Sequence, residues 1–121
     1  MRTHRIRAFD LDKQVMIEPF ITVDNGKLTV DNRVDSDSRV VMMWFSGRKD
    51  INNKDIYEYD KVVAYISTEF YSLVKKEGVV VFIDNLGAFI VCVQSEKDSE
   101  HYYFSDFVTI EVVGYELPKG I

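Results

Sequence analysis

The stretch FITVDNGKLTV, residues 20–30, carries the clearest local instruction in the chain. Apolar and polar residues alternate on both sides of Asn25-Gly26, a dipeptide that supplies the two positive-φ residues a type I′ hairpin turn requires. Counting outward from the turn pairs Asp24 with Lys27, Val23 with Leu28, Thr22 with Thr29 and Ile21 with Val30. One face of the predicted hairpin is Ile21, Val23, Leu28 and Val30. The other carries two threonines and an opposite-charge pair, so the spacing predicts a half-buried hairpin.

The same period of two recurs on either side. RIRAF at 5–9 alternates, DLDK at 10–13 turns the chain, and 14–18 returns it, which predicts a first hairpin. DNRVDSDS at 31–38 reads as a solvated acidic loop. RVVMMWFS at 39–46 reads as a strand covered on both faces, because its apolar run is unbroken. A strand is predicted at 61–66, and two buried strands joined by a turn at 84–87 are predicted in GVVVFIDNLGAFIVCV, residues 78–93. QSEKDSE at 94–100 is a loop, HYYF at 101–104 a short strand, SDF at 105–107 a turn and TIEVVGY at 109–115 a closing strand. Only YISTEFYSLVKKEG, residues 65–78, has a helical period, and it is short. Five or six short strands between positions 55 and 115 suit a small barrel, which removes its own sheet edges. The fold class is therefore mainly β, a β-rich α+β at most. An N-terminal β-hairpin layer at 1–46 precedes a small β-barrel at 47–121, the two forming one compact unit.

Composition narrows the function. With 121 residues the chain is long enough for one domain with its own core. The longest apolar runs, 40–45 and 88–93, are far shorter than the roughly 20 residues that span a bilayer, so no membrane association is expected. The charged start MRTHRIRAFD lacks the apolar core of a secretory signal, and the single Cys92 fits a reducing compartment, so a cytoplasmic setting is expected. A net charge of −5 works against a phosphate backbone.

RIRAFDLDKQVMI near the N-terminus, VMMWFSGRKDINNKDIYEYDKVV in the middle, GVVVFIDNLGAFIV after it and SDFVTIEVVGY at the end occur in an order that resembles the YopX family of small proteins from phages and prophages of Gram-positive bacteria. The middle stretch is the most specific. Members show a TGLKDKNGKEIYEGDIV pattern there, matched by Gly47, Lys49, Asp50, Asn52, Lys54, Ile56, Tyr57, Glu58, Asp60 and Val62. Tyr59 and Asn53 stand where that pattern has glycine. The resemblance implies a β-rich fold with an SH3-like barrel in its C-terminal part, a tendency to self-associate and a bacterial host cell. It brings no catalytic or binding residues with it.

Asp50, Asn52, Asp55, Glu58 and Asp60 place five oxygen ligands within eleven residues, but the spacing lacks the central glycine and twelfth-position acid of a calcium loop. Turn chemistry accounts for them better: Asn and Asp bond their own backbone and tolerate positive φ. No metal or cofactor is therefore expected. Cys92 with His101 and Asp106 could suggest a thiol nucleophile, yet Cys92 sits within AFIVCV and reads as a core residue. With no catalytic motif, the chain is expected not to be an enzyme. The candidate interaction residues are Arg5 and Arg7, in a basic cluster with Arg2 and His4, and the tyrosines Tyr57, Tyr59, Tyr102 and Tyr103, with one of adjacent Tyr102 and Tyr103 expected to be exposed, and one of Tyr57 and Tyr59. These residues favour a self-associating protein-interaction module, a homo-oligomer with a protein partner, over a nucleic-acid-binding barrel or an enzyme of unrecognised type.

Overall fold

The computed structural model describes residues 4–32, 37, 39–70, 72–94 and 99–118. Over these residues the protein is mainly β: two antiparallel sheets, one 3-10 turn and no α-helix. The acidic loop expected at 31–38 falls largely outside the described residues, as do Arg2 and residues 95–98. The chain divides into two compact units, 1–47 and 48–121.

The first unit contains β1 (His4–Asp10), β2 (Val15–Asp24), β3 (Lys27–Val30) and most of β4 (Val40–Lys49), in the sheet order β3-β2-β1-β4. The hairpin at 20–30 forms with the predicted register, from Asp24↔Lys27 to Ile21↔Val30. Asn25 and Gly26 adopt φ of 52° and 77°, as the type I′ turn demands. Burial departs from the expectation. All four residues of β3 are exposed, Leu28 at 61% and Val30 at 51%, so the apolar face of this hairpin is open. β4 corrects the sequence reading in the same way: Val41 and Met43 are buried, while Met42 and Trp44 are 53% and 54% exposed. An unbroken apolar run fills both faces of a strand, but only tertiary packing decides whether both are covered.

Register shows how these residues align. Trp44 lies opposite Ile6, Ile6 opposite Ile21 and Ile21 opposite Val30, so one apolar row crosses all four strands on the open face. The opposite face carries the pairs Arg7–Met43 and Phe9–Val41, all buried. The Asp12–Arg39 ion pair at 2.9 Å, with a Leu11 N–H bond to the Arg39 carbonyl, fastens the β1–β2 turn to the start of β4.

In the second unit, the end of β4 is followed by its neighbour β5 (Asp55–Tyr57). A second sheet has the order β10-β6-β7-β8-β9, from β6 (Asp60–Ser67), β7 (Leu73–Ile83), β8 (Ala88–Gln94), β9 (Ser99–Tyr103) and β10 (Thr109–Tyr115). The segment of helical period at 65–78 is not helical. It is the end of β6, a turn closed by a Thr68 N–H bond to the Ser72 carbonyl, and the start of β7. Seven consecutive pairs from Lys61↔Val79 to Ser67↔Leu73 satisfy the backbone there, and a short helix with a costly nucleus does not compete with them. The number of strands matches the sequence reading, but the closed barrel does not form. Among the described residues β9 and β10 are edges of an open sheet. Its core is Ile56, Val62, Val80, Val91, Val93 and Val112, flanked by Phe89, Tyr102, Phe104, Phe107 and Ile110.

Candidate functional site

The segment at 50–60 concentrates the acidic side chains, and Asp50, Asp55 and Asp60 are each committed to their own surroundings. Asp50 is 7% exposed. One of its oxygens accepts the N–H groups of Asn52 and Lys54 at 2.9 and 2.8 Å, and the other accepts that of Val112 in β10 at 2.9 Å. Burial opposes the charge on Asp50, but the three N–H donors from Val112, Lys54 and Asn52 outweigh it and hold the carboxyl below its usual range. A further main-chain bond, Ile51 N–H to the Ile110 carbonyl at 2.9 Å, runs alongside. Asp60 is 1% exposed and accepts the Tyr57 N–H at 2.8 Å. Asp55 pairs with Lys49 at 3.0 Å. Among the described residues no three His, Cys, Asp or Glu side chains converge as a metal would need.

The two positions where the resembling motif has glycine explain this segment. Asn53 adopts φ 64° and Tyr59 φ 68°, both in the left-handed region where glycine is at ease and a tyrosine is strained. The backbone around Tyr59 is bonded on both sides: its N–H donates to the Val80 carbonyl at 2.7 Å, and its carbonyl accepts the Glu116 N–H at 2.9 Å. These bonds tie the 57–60 turn to β7 and to the chain beyond β10. The segment is a clasp, with two buried carboxylates and two left-handed residues joining the beginning of the second unit to its closing strand.

The candidate interaction residues lie in different surroundings. Arg7 is 3% exposed and its Nε donates to Met43 Sδ at 3.3 Å. Arg5 is half-buried, its guanidinium 4.4 Å from the centre of the Phe45 ring. The two arginines therefore do not form an open basic patch. Tyr57 is buried at 1%, whereas Tyr59 is half-buried, and burial together with the Glu58 charge raises its hydroxyl pKa. Tyr103 is 48% exposed and Tyr102 half-buried.

Cys92 corrects the sequence reading. It is half-buried rather than in the core, because Val91 and Val93 take the core face of β8 and alternation turns Cys92 to the other. There it lines a groove of about 380 Å³ with Lys61, Val63, Glu77, Val79 and Val113. His101 is its register partner in β9, yet Asp106 is no third member, since its carboxylate accepts the Tyr103 N–H at 2.8 Å and holds the 3-10 turn Phe104–Asp106.

Reasoning from spacing missed a cross-strand cluster of Lys76, Glu100 and Tyr102. Lys76 pairs with Glu100 at 3.0 Å, and the Tyr102 hydroxyl donates to the same carboxylate oxygen. Only the strand register could have revealed it. The hydrogen bond from Tyr102 and then that from Lys76 lower the Glu100 pKa, and the bonds to Glu100 raise those of Lys76 and Tyr102. All three shifts move away from neutrality.

Among the described residues the row Trp44–Ile6–Ile21–Val30, with Met42 and Leu28 beside it, leaves apolar side chains exposed that the chain's own packing does not cover. Compared with known families, residues 6–119 match the family model described as YopX protein. No curated protein matches the chain.

Proposed function

The chain belongs to the YopX family, and from that premise we propose that it is a non-catalytic accessory module that self-associates and presents a surface to a protein partner. The setting we propose with it is a phage or prophage of a Gram-positive bacterium, with the protein in the cytoplasm of the host cell, and the second unit read as an SH3-like arrangement of short strands. The observation that carries the proposal is the apolar row across the first sheet, where Trp44, Met42, Leu28 and Val30 are each more than half exposed. Apolar area of this kind is favourable to remove from water, and exposed apolar side chains grouped on one sheet of a small domain point to an interface. The net charge of −5 and the burial of Arg7 count against a nucleic-acid reader.

Light scattering across a concentration series tests the proposal. Wild-type protein is expected to form a stable homo-oligomer, and Trp44→Asp or Met42→Asp is expected to weaken it while leaving the chain folded. A wild-type chain that stays monomeric at all concentrations would refute self-association.

A further inference from the structure

Among the described residues β3 is an edge of the first sheet, bonded to β2 on one side only. Its register settles which main-chain groups face outward. In a two-residue hairpin the residues flanking the turn exchange both hydrogen bonds, so Asp24 with Lys27, and then Thr22 with Thr29, are hydrogen-bonded pairs. The Asp31 N–H donates to the Phe20 carbonyl at 2.7 Å, continuing the alternation. Lys27, Thr29 and Asp31 therefore aim their main-chain groups at β2, while Leu28 and Val30 aim theirs away from the sheet. Edge strands are usually blunted by shortness, charge, proline or a bulge; β3 is short and carries Lys27 but has no proline or bulge, so its outward groups stay open to a partner that complements Lys27.

We propose that two copies of the chain join by antiparallel pairing of β3 with β3, in the register that sets Thr29 opposite Thr29. This rests on the self-association reading above and adds to it an edge contact, which lengthens the open apolar row from one copy to the next. In that register Leu28 of each copy lies opposite Val30 of the other, and both pairs exchange main-chain hydrogen bonds. Lys27 of each copy meets Asp31 of the other, on the face where it already neighbours Asp24. Alternatives centred on Leu28 or on Val30 keep only one hydrogen-bonded pair within the strand and lose both Lys–Asp pairs. Charge complementarity and hydrogen-bond count thus select the same two-fold arrangement, which closes on itself as a dimer. The apolar row then continues from Trp44, Ile6, Ile21 and Val30 of one copy to Leu28 and Val23 of the next, and the threonines line up on the reverse face.

The test uses the full chain with Cys92→Ser, so that no native thiol competes. Thr29→Cys places two thiols at a directly opposed, non-hydrogen-bonded pair, where Cα atoms about 4.5 Å apart suit a disulfide. Mild oxidation is expected to give a covalent dimer, and Thr22→Cys, one strand inward, is expected not to. Val30→Pro removes an outward N–H from each copy without touching the β2–β3 ladder, and is expected to weaken the dimer roughly tenfold or more. If the wild type is monomeric, self-association and the β3 pairing fall together. If an oligomer forms but Thr29→Cys does not cross-link and Val30→Pro leaves the affinity unchanged, the β3 pairing alone is overturned.

Discussion

Asp50 shows how a single side chain can be read as a site and act as a fastener. Its carboxylate accepts three backbone N–H groups, one of them 62 positions along the chain in β10, so it holds a local turn and a long-range contact together. Replacing it with Asn sets an amide N–H against one of those donors and removes the charge, and is expected to destabilise the fold by about 2–4 kcal/mol. The pH dependence follows from the lowered pKa. A carboxyl whose pKa is depressed by folding stabilises the protein above its unfolded value, near 3.8, and loses that contribution as pH falls through the folded value. The gap between wild type and Asp50→Asn in chemical denaturation should therefore be full at neutral pH and shrink below pH 3.8. A gap that persisted unchanged to the lowest pH would remove the carboxylate from the explanation. Tyr59 makes the complementary case. Left-handed backbone costs a non-glycine residue roughly 1–2 kcal/mol, but Tyr59 is half-buried and its ring contributes packing. Asn53 is exposed at a similar φ, so Asn53→Gly is expected to be neutral or slightly stabilising and Tyr59→Gly neutral or destabilising. Thermal denaturation of the two variants separates strain from packing.

At the level of strands, what the sequence made legible was local and what it hid was tertiary. The β2–β3 register was readable because Asn25-Gly26 fixes the turn type, and turn type fixes register. Gly26→Ala keeps the space but forces a Cβ into φ 77°, so a loss of about 1 kcal/mol is expected, and an unchanged denaturation midpoint would contradict the turn assignment. Gly78 is a different kind of glycine, invisible to turn rules. A Cβ there would lie 2.6 Å from the Cys92 carbonyl oxygen and 2.8 Å from Val91 Cγ1, so the close approach of β7 to β8 needs its absence. Gly78→Ala is accordingly expected to cost more than Gly26→Ala. The exposure of Leu28, Met42 and Trp44 was not readable, because alternation tells which residues share a face and nothing about whether another layer covers it. The clasp was half readable. Asp and Asn in DINNKD announce a turn, but the bond from Val112 to Asp50 joins residues that no local pattern connects.

For the whole molecule the question is whether the open apolar face is used, and the chain contains its own probe. Trp44 is the sole tryptophan, 54% exposed, and sits at one end of the apolar row, three strands from β3, so it reports self-association through this face and not the edge pairing of β3. Its emission in dilute solution is expected to be that of a hydrated indole and to shift to shorter wavelength as concentration rises and association removes water from the ring. Salt distinguishes the physical origin. Charges on a surface are screened over about 8 Å at physiological ionic strength, so phosphate binding would weaken steeply with added salt, whereas burial of apolar area would not. The blue shift should therefore survive about 1 M salt, and short DNA at physiological salt should leave the emission unchanged. Emission independent of concentration would show that no interface covers Trp44. A shift produced by DNA and abolished by salt would return the acidic chain to the nucleic-acid reading, with Arg5 and its neighbours as the first residues to substitute.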